Sequence, residues 1–211
     1  MKKLLIIAIA IAACSFSCTN KKTENTQTAT TVDNLKTAIA GETNASAKYA
    51  LFAEAALQQG QNGIAAMFLA AAAAENIHIQ NHTLVLNDLG ENFEITAADI
   101  QISDNLVENI QSAIDGETFE YTTMYPPMIE QSNKENIPDA VRTFTFAKKA
   151  EEVHAQLYTE ALEWLKTGRE DQIALIWYVC PTCGNLFNTL DGYEICAICG
   201  VNKNLFTSFE K

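Results

Sequence analysis

Glutamate recurs where a helical bundle needs apolar side chains, and this constrains the fold more than any other feature. Between about residues 32 and 167, alternating steps of three and four trace four seams. The first is Leu35, Ala38, Glu42, Ala45, Tyr49, Phe52, Ala56. The second runs Ile64, Phe68, Ala71, Glu75, His78, His82, Val85, Leu89. The third is Leu106, Ile110, Ala113, Glu117, Glu120, Met124, and the fourth Ala140, Phe144, Ala147, Glu151, His154, Tyr158, Ala161, Leu165. Each reads as the core-facing stripe of an amphipathic helix. A carboxylate in such a stripe costs several kcal/mol unless it is paired or holds a metal. Apart from histidine, no seam carries a basic residue. Placing Glu42, Glu75, Glu117, Glu120 and Glu151 in solvent instead would require the register to be wrong in all four helices.

The chain also repeats itself. Ile39-Ala-Gly-Glu42-Thr echoes Ile114-Asp-Gly-Glu117-Thr, and Glu75-Asn-Ile-His78 echoes Glu151-Glu-Val-His154. Glu42 precedes Tyr49 by seven residues, and Glu117 precedes Tyr125 by eight. Helices one and two therefore recur as helices three and four, which predicts a bundle with approximate twofold symmetry. Glu and His at i and i+3 project from one helix face. Two such pairs, with Glu42 and Glu117 from the other two helices, form the ligand arrangement of ferritin-like di-iron and di-manganese bundles. Hard carboxylates with imidazole suit iron or manganese, and two divalent ions nearly balance five carboxylates. Glu120, one turn past Glu117, is an extra ligand that makes the site asymmetric. Gly41 and Gly116 precede ligands inside helices, where glycine costs about 1 kcal/mol relative to alanine, and suggest a local bulge there. His82 reads as packed beside the site rather than as a ligand, and Glu152 as solvated. Tyr49 and Tyr125 fall on the ligand faces, as core aromatics or as hydrogen-bond donors beside the metals.

Cysteine usage defines the C-terminal end. Two of the six cysteines lie in the first 18 residues and four in the last 32, so no disulfide framework spans the middle. Cys180-Pro-Thr-Cys183-Gly184 and Cys196-Ala-Ile-Cys199-Gly200 are paired knuckles for one tetrathiolate metal. Zinc and iron both accept such ligation, and spacing does not choose between them. Tyr178 and Phe187 flank the knuckles. So short a segment needs its metal in order to fold.

The N-terminus reads as an address. Lys2 and Lys3 precede the apolar run Leu4–Ile11, too short to span a bilayer, and Ala12-Ala13-Cys14 follows. Ile-Ala-Ala-Cys14 resembles a bacterial lipobox, with Cys18 the weaker candidate. The expectation is an exported chain, lipid-anchored through Cys14 on the periplasmic or surface side of a bacterial membrane. Cleavage there removes two lysines and takes the net charge from −12 to −14. The organisation expected is a leader at 1–18, a tether at 19–31, a bundle at 32–168 and a knuckle domain at 169–211. With 26 acidic residues against 14 basic, the chain lacks the basic surface that nucleic acid requires.

With both motifs placed, residues 33–211 resemble the rubrerythrins: an all-α ferritin-like four-helix bundle followed by a small rubredoxin-like domain. The resemblance rests on Gly-Glu42 with Tyr49, Glu75-x-x-His78, Gly-Glu117-x-x-Glu120 with Met124-Tyr125-Pro126, Glu151-x-x-His154 and both knuckles. It implies a non-haem di-iron peroxidase that reduces hydrogen peroxide to water, with an Fe(Cys)4 centre on Cys180, Cys183, Cys196 and Cys199 relaying electrons. It implies also that Glu120 and His78 alternate as ligands to one iron with redox state. Export is a departure from the usual cytoplasmic setting and leaves the electron donor unidentified, because cytoplasmic NADH is out of reach. A ferroxidase or iron-handling protein, a manganese catalase, and a non-enzymatic metal protein with a zinc ribbon are the rivals. Sixteen residues separate Glu151 from the helix end near 167. At ~1.5 Å rise per residue, that end is about 24 Å from the metals. The resemblance implies a head-to-tail homodimer, and unless residues 168–177 fold back, the relay would have to come from the partner in it.

Overall fold

The computed structural model describes residues 29–211. The leader, Cys14, Cys18 and most of the tether lie outside the described residues. Helix α1 (Thr31–Gln58) starts at the last residue assigned to the tether, on a reciprocal cap. Thr30 Oγ1 accepts from the Asp33 N–H, and Asp33 Oδ2 accepts from the Thr30 N–H. Gly60, at φ +73°, turns the chain into α2 (Asn62–Asp88). Five fully buried alanines on α2 (65, 66, 70, 71 and 74) let its backbone approach its neighbours closely. Residues 89–105 then cross the bundle without regular structure. No helix among the described residues is long and apolar enough to cross a membrane.

The third helix is not continuous, contrary to the single seam expected. It divides into α3 (Leu106–Phe119), a π-helical turn (Glu120–Met124) and α4 (Tyr125–Lys134). Pro126 and Pro127 lack the N–H groups that would bond the carbonyls of Thr122 and Thr123, so the backbone is free to change register there. A π-turn accommodates one residue more than an α-turn. It therefore absorbs the eighth residue between Glu117 and Tyr125 and places Tyr125 as the counterpart of Tyr49. The bulge does not lie at the glycines: Gly41 and Gly116 sit in regular helix, with no close neighbour requiring them.

Helix α5 (Pro138–Lys166) ends at Gly168, φ +69°, and the chain folds back. Ile173 packs on Gly63, where an added Cβ would lie 2.9 Å from Ile173 Cγ2. Trp177 on β1 (Ile176–Val179) is fully buried against the same core as the bundle. Strands β2 (Leu186–Phe187) and β3 (Thr207–Glu210) flank β1 antiparallel in the order β2-β1-β3, with Tyr178 opposite Phe187 and Trp177 opposite Phe209. The knuckle domain thus lies along its own α2 and α5 rather than beyond the helix end. The 24 Å separation does not apply, because residues 167–175 reverse the chain and bury Ile173 and Trp177. The need for a partner's relay, drawn from that separation, falls with it.

Candidate metal centre

The ligand seams converge on one buried point. Glu42 comes from α1, Glu75 and His78 from α2, Glu117 from α3, and Glu151 and His154 from α5; all are at most 1% exposed. Two overlapping groups form. Glu42, Glu75, His78 and Glu151 each bring one ligand atom within 4.8 Å of the others, as do Glu75, Glu117, Glu151 and His154. Glu75 and Glu151 belong to both, as bridging carboxylates between two ions would.

The knuckle domain orients both histidines. His78 Nε2 lies 3.0 Å from the Cys183 carbonyl and His154 Nε2 lies 3.0 Å from the Gly184 carbonyl. A carbonyl only accepts, so each Nε2 carries a proton and each ring turns its Nδ1 inward to the carboxylates. His78 Nδ1 is 2.8 Å from Glu151 Oε1 and 3.0 Å from Glu75 Oε2, while His154 Nδ1 is 2.7 Å from Glu151 Oε2. Each Nδ1 therefore faces carboxylate oxygens at contact distance. Glu42 Oε2, Glu75 Oε1, Glu117 Oε2, both oxygens of Glu151 and His154 Nδ1 have no hydrogen-bond partner despite full burial. Buried groups of this polarity are normally satisfied. Two cations between them resolve the conflict, and the residues fit a pair of hard metal ions.

The electrostatics agree. Burial, and then the neighbouring carboxylates, push Glu75 and Glu117 well above the ordinary carboxylate value. Burial opposes charge on Glu151 as well, but His78 and His154 overcome it and hold that carboxyl well below its usual range. Burial likewise opposes charge on His78, yet Glu151, Glu42 and Glu75 raise it. The cluster lacks positive charge.

Around the cluster, Tyr49 donates to Glu117 Oε1 at 2.6 Å, and Tyr125 donates to Glu42 Oε1. Both tyrosines are therefore hydrogen-bond donors to ligand carboxylates, the second of the two roles their seam positions allowed. Glu120, half-buried on the π-turn, stands outside both groups. Of the two alternatives implied for that position, His78 is the one turned inward. Sequence reasoning assigned no role to Tyr158. Its hydroxyl is buried without a partner beside Glu117, and its position four residues past His154 on the same seam was the available signal. His82 is buried and bonded to Tyr125 and Thr143.

The four knuckle cysteines also converge. Sγ atoms of Cys180 and Cys199 are 3.4 Å apart, and those of Cys183 and Cys196 3.5 Å. These distances exceed a disulfide bond and approach the edge of about 3.8 Å expected for a metal–sulfur tetrahedron. Gly184 and Gly200, at φ +74° and +79°, close the turns by bonding the carbonyls of Cys180 and Cys196. Hydrogen bonds from Cys180 and Cys196, then burial, drive the Cys183 thiol far up, while Cys180 and Cys183 pull Cys196 down to about 2. Four cysteine sulfurs converging in so small a space fit a single metal cation.

A carboxylate-bridged dinuclear site inside a four-helix bundle, abutted by a tetrathiolate knuckle, defines a ferritin-like di-iron protein joined to a rubredoxin-like domain. A sequence model of the family described as "Rubrerythrin" matches residues 33–162. The chain is 37% identical to Rubrerythrin-2 of Clostridium acetobutylicum over 182 residues, covering 86% of this chain and 97% of that one. It is 39% identical to nigerythrin of Nitratidesulfovibrio vulgaris over 186 residues, covering 87% and 89%. The solved structure of nigerythrin in its fully reduced, all-ferrous state superposes with a TM-score of 0.79 at 34% identity, over 96% of this chain and 100% of that one. The chain belongs to the rubrerythrin family. Its buried carboxylate–histidine cluster is a di-iron site and its four cysteines form a rubredoxin-like iron site. It is a di-iron, rubredoxin-linked oxidoreductase.

Proposed function

We propose that the protein is a peroxidase that reduces hydrogen peroxide to two waters, consuming two electrons and two protons. The observation that carries this reading is the bonding of both site histidines to the Cys183 and Gly184 carbonyls. A one-electron centre joined to a dinuclear site by two hydrogen bonds suits repeated two-electron reduction and has no purpose in metal storage. Glu42, Glu75, His78 and Glu151 hold one iron; Glu75, Glu117, Glu151 and His154 hold the other. Glu120 would be the alternative ligand to His78 that the resemblance implies. When bound, the iron pair supplies the two electrons that O–O cleavage needs, and the tetrathiolate iron supplies their replacements singly. Tyr49 and Tyr125 orient Glu117 and Glu42 by donating hydrogen bonds to them. The aromatic cluster of Phe52, Phe68 and Tyr158 around Tyr49 excludes water from that side.

The test is anaerobic reduction of the purified protein followed by stoichiometric hydrogen peroxide. The visible absorbance of ferric Fe(Cys)4 should return as peroxide disappears, without release of dioxygen. Dioxygen release without added reductant would establish catalase chemistry instead, and a colourless tetrathiolate would mean zinc and no relay.

The same reading places the enzyme outside the cytoplasm, anchored through a lipid on Cys14. Replacement of Cys14 by alanine should release it from the membrane fraction with loss of acyl label. Retention of both would move the attachment to Cys18.

A further inference from the structure

His82 is the one buried histidine that the metal site does not use. Its two ring nitrogens are engaged on opposite sides. Nε2 lies 3.2 Å from the Tyr125 hydroxyl and Nδ1 lies 3.0 Å from Thr143 Oγ1. The polarity of this chain follows from its inner end. The Tyr125 proton goes to Glu42 Oε1, so the Tyr125 oxygen must accept from His82, and Nε2 carries the hydrogen. Burial lowers His82 to a pKa of about 3, so the ring is neutral and Nδ1 is bare. Nδ1 accordingly accepts from the Thr143 hydroxyl. All three bonds point inward: Thr143 to His82, His82 to Tyr125, Tyr125 to Glu42.

The outer end reaches a cavity. Thr143, 5% exposed, lines a pocket of about 320 Å³ with Asn81, Asp88, Asp139, Arg142 and Thr182. It is roomy enough for several waters, and beside the apolar Leu84, Val85 and Phe146 these five groups offer them polar partners. Elsewhere on α5, Thr145 and Thr159 bond back to carbonyls four residues earlier. Thr143 instead turns its hydroxyl inward to His82.

The internal repeat supplies the contrast. Shifting by the 76 residues that relate Glu75 to Glu151, His82 corresponds to Tyr158 and Thr143 to Met67. Tyr158 has an unpartnered hydroxyl, Met67 has no proton to give, and both are fully buried. The tyrosine on that side, Tyr49, is backed by Phe52, Phe68 and Tyr158. One half of the pseudo-symmetric site is dry and the other is wired to the surface.

We infer that Thr143, His82 and Tyr125 form the proton-entry relay of this enzyme, carrying protons from water in the Asp88–Asp139–Arg142 cavity to Glu42. This deepens the peroxidase reading and rests on it for the reaction that consumes the protons. In one passage, a cavity water gives a proton to Thr143 Oγ1 and Thr143 gives its own to His82 Nδ1. His82 Nε2 gives its proton to Tyr125, and Tyr125 gives its own to Glu42. Each relay group gains one proton and loses one, so none changes charge; Glu42 passes its proton on to the oxygens of the peroxide being reduced, and bulk solvent restores the water. The ring, left with hydrogen on Nδ1, reorients before the next passage. His82 and Thr143 are positioning residues that act through Tyr125.

The test compares full-length wild type with Thr143→Val, which keeps the shape and removes the hydroxyl, and Thr143→Ser, which restores it. On zinc-loaded, diamagnetic protein, nitrogen NMR should show His82 neutral with hydrogen on Nε2. Exchange of that hydrogen with D2O should slow about tenfold in the Val variant and recover in the Ser variant. On iron-loaded protein with unchanged metal content, oxidation by peroxide should slow at least about tenfold in the Val variant, as loss of one proton-transfer partner does, with a changed solvent isotope effect that Ser reverses. A charged His82, hydrogen on Nδ1, or a Val variant with wild-type exchange, rate and isotope effect would overturn the relay. If the wild type itself is not oxidised by peroxide, the peroxidase reading fails, and tautomer and exchange alone decide the wiring.

Discussion

Replacing Glu151 with alanine is expected to empty the bundle of metal while leaving the knuckle coloured. Glu151 is shared by both ligand groups, its two oxygens 2.8 Å and 2.7 Å from His78 and His154. No other carboxylate in the cluster lies so close to both rings. Its loss removes a bridging anion from each iron at once and leaves the three remaining ligand carboxylates repelling one another. Metal analysis should fall from about three irons per chain to about one, since the tetrathiolate shares no ligand with the bundle. Peroxide turnover should drop below detection, and Tm should fall by whatever stabilisation the bound metals had added. Glu151→Gln keeps the volume and one acceptor oxygen, so the same metal loss there would locate the effect in the charge. Full retention of iron by both variants would contradict the ligand assignment.

The second large effect is expected at Gly184. This residue sits at φ +74°, and a Cβ there would lie 2.3 Å from His78 Nε2 and 3.1 Å from the Ala74 carbonyl. Neither neighbour can yield. His78 is held by the cluster, and the Ala74 carbonyl belongs to the backbone of α2. A left-handed non-glycine residue costs about 1–2 kcal/mol before any clash. Gly184→Ala should therefore lift the knuckle from the bundle and break the bonds from His78 to Cys183 and from His154 to Gly184. Multiple-turnover activity should fall by at least about tenfold, because electrons are no longer delivered through a bonded contact. A single oxidation of the pre-reduced di-iron site should survive, and the Fe(Cys)4 spectrum should persist, since the turn ligates through Cys180 and Cys183 on either side. Gly200→Ala is the control: it has the same backbone handedness with nothing within 4 Å of the added carbon. Equal turnover in the Gly184 variant and wild type would show that the docked contact is not the electron path.

The chemistry was legible in the sequence because its signals are local. Glu75 with His78 and Glu151 with His154 are one helical turn apart, so the helix alone aims each pair at one point. C-x-x-C-Gly determines a knuckle through a few backbone angles. Even the π-turn left a trace, as eight residues between Glu117 and Tyr125 against seven between Glu42 and Tyr49. The turn lies away from Gly41 and Gly116 because glycine only permits a bulge, whereas Pro126 and Pro127 cause one by withholding N–H groups.

What only the tertiary structure decided depends on how separate helices rotate and slide against each other. Periodicity places Glu75 and Glu151 in the core but does not say that they, rather than Glu42 and Glu117, are shared between the two groups. It allows Glu120 inward, and the π-turn sets it beside Glu42 but apart from the two four-residue groups. Arithmetic along α5 put the knuckle far from the metals. Burial of Ile173 against Gly63 and of Trp177 in the bundle core reverses the chain and seats Cys183 and Gly184 on the two histidines. The contact of His82 with Thr143 joins residues 61 apart in sequence. Composition along one strand of chain carries no record of such a contact, because it is made by packing between helices.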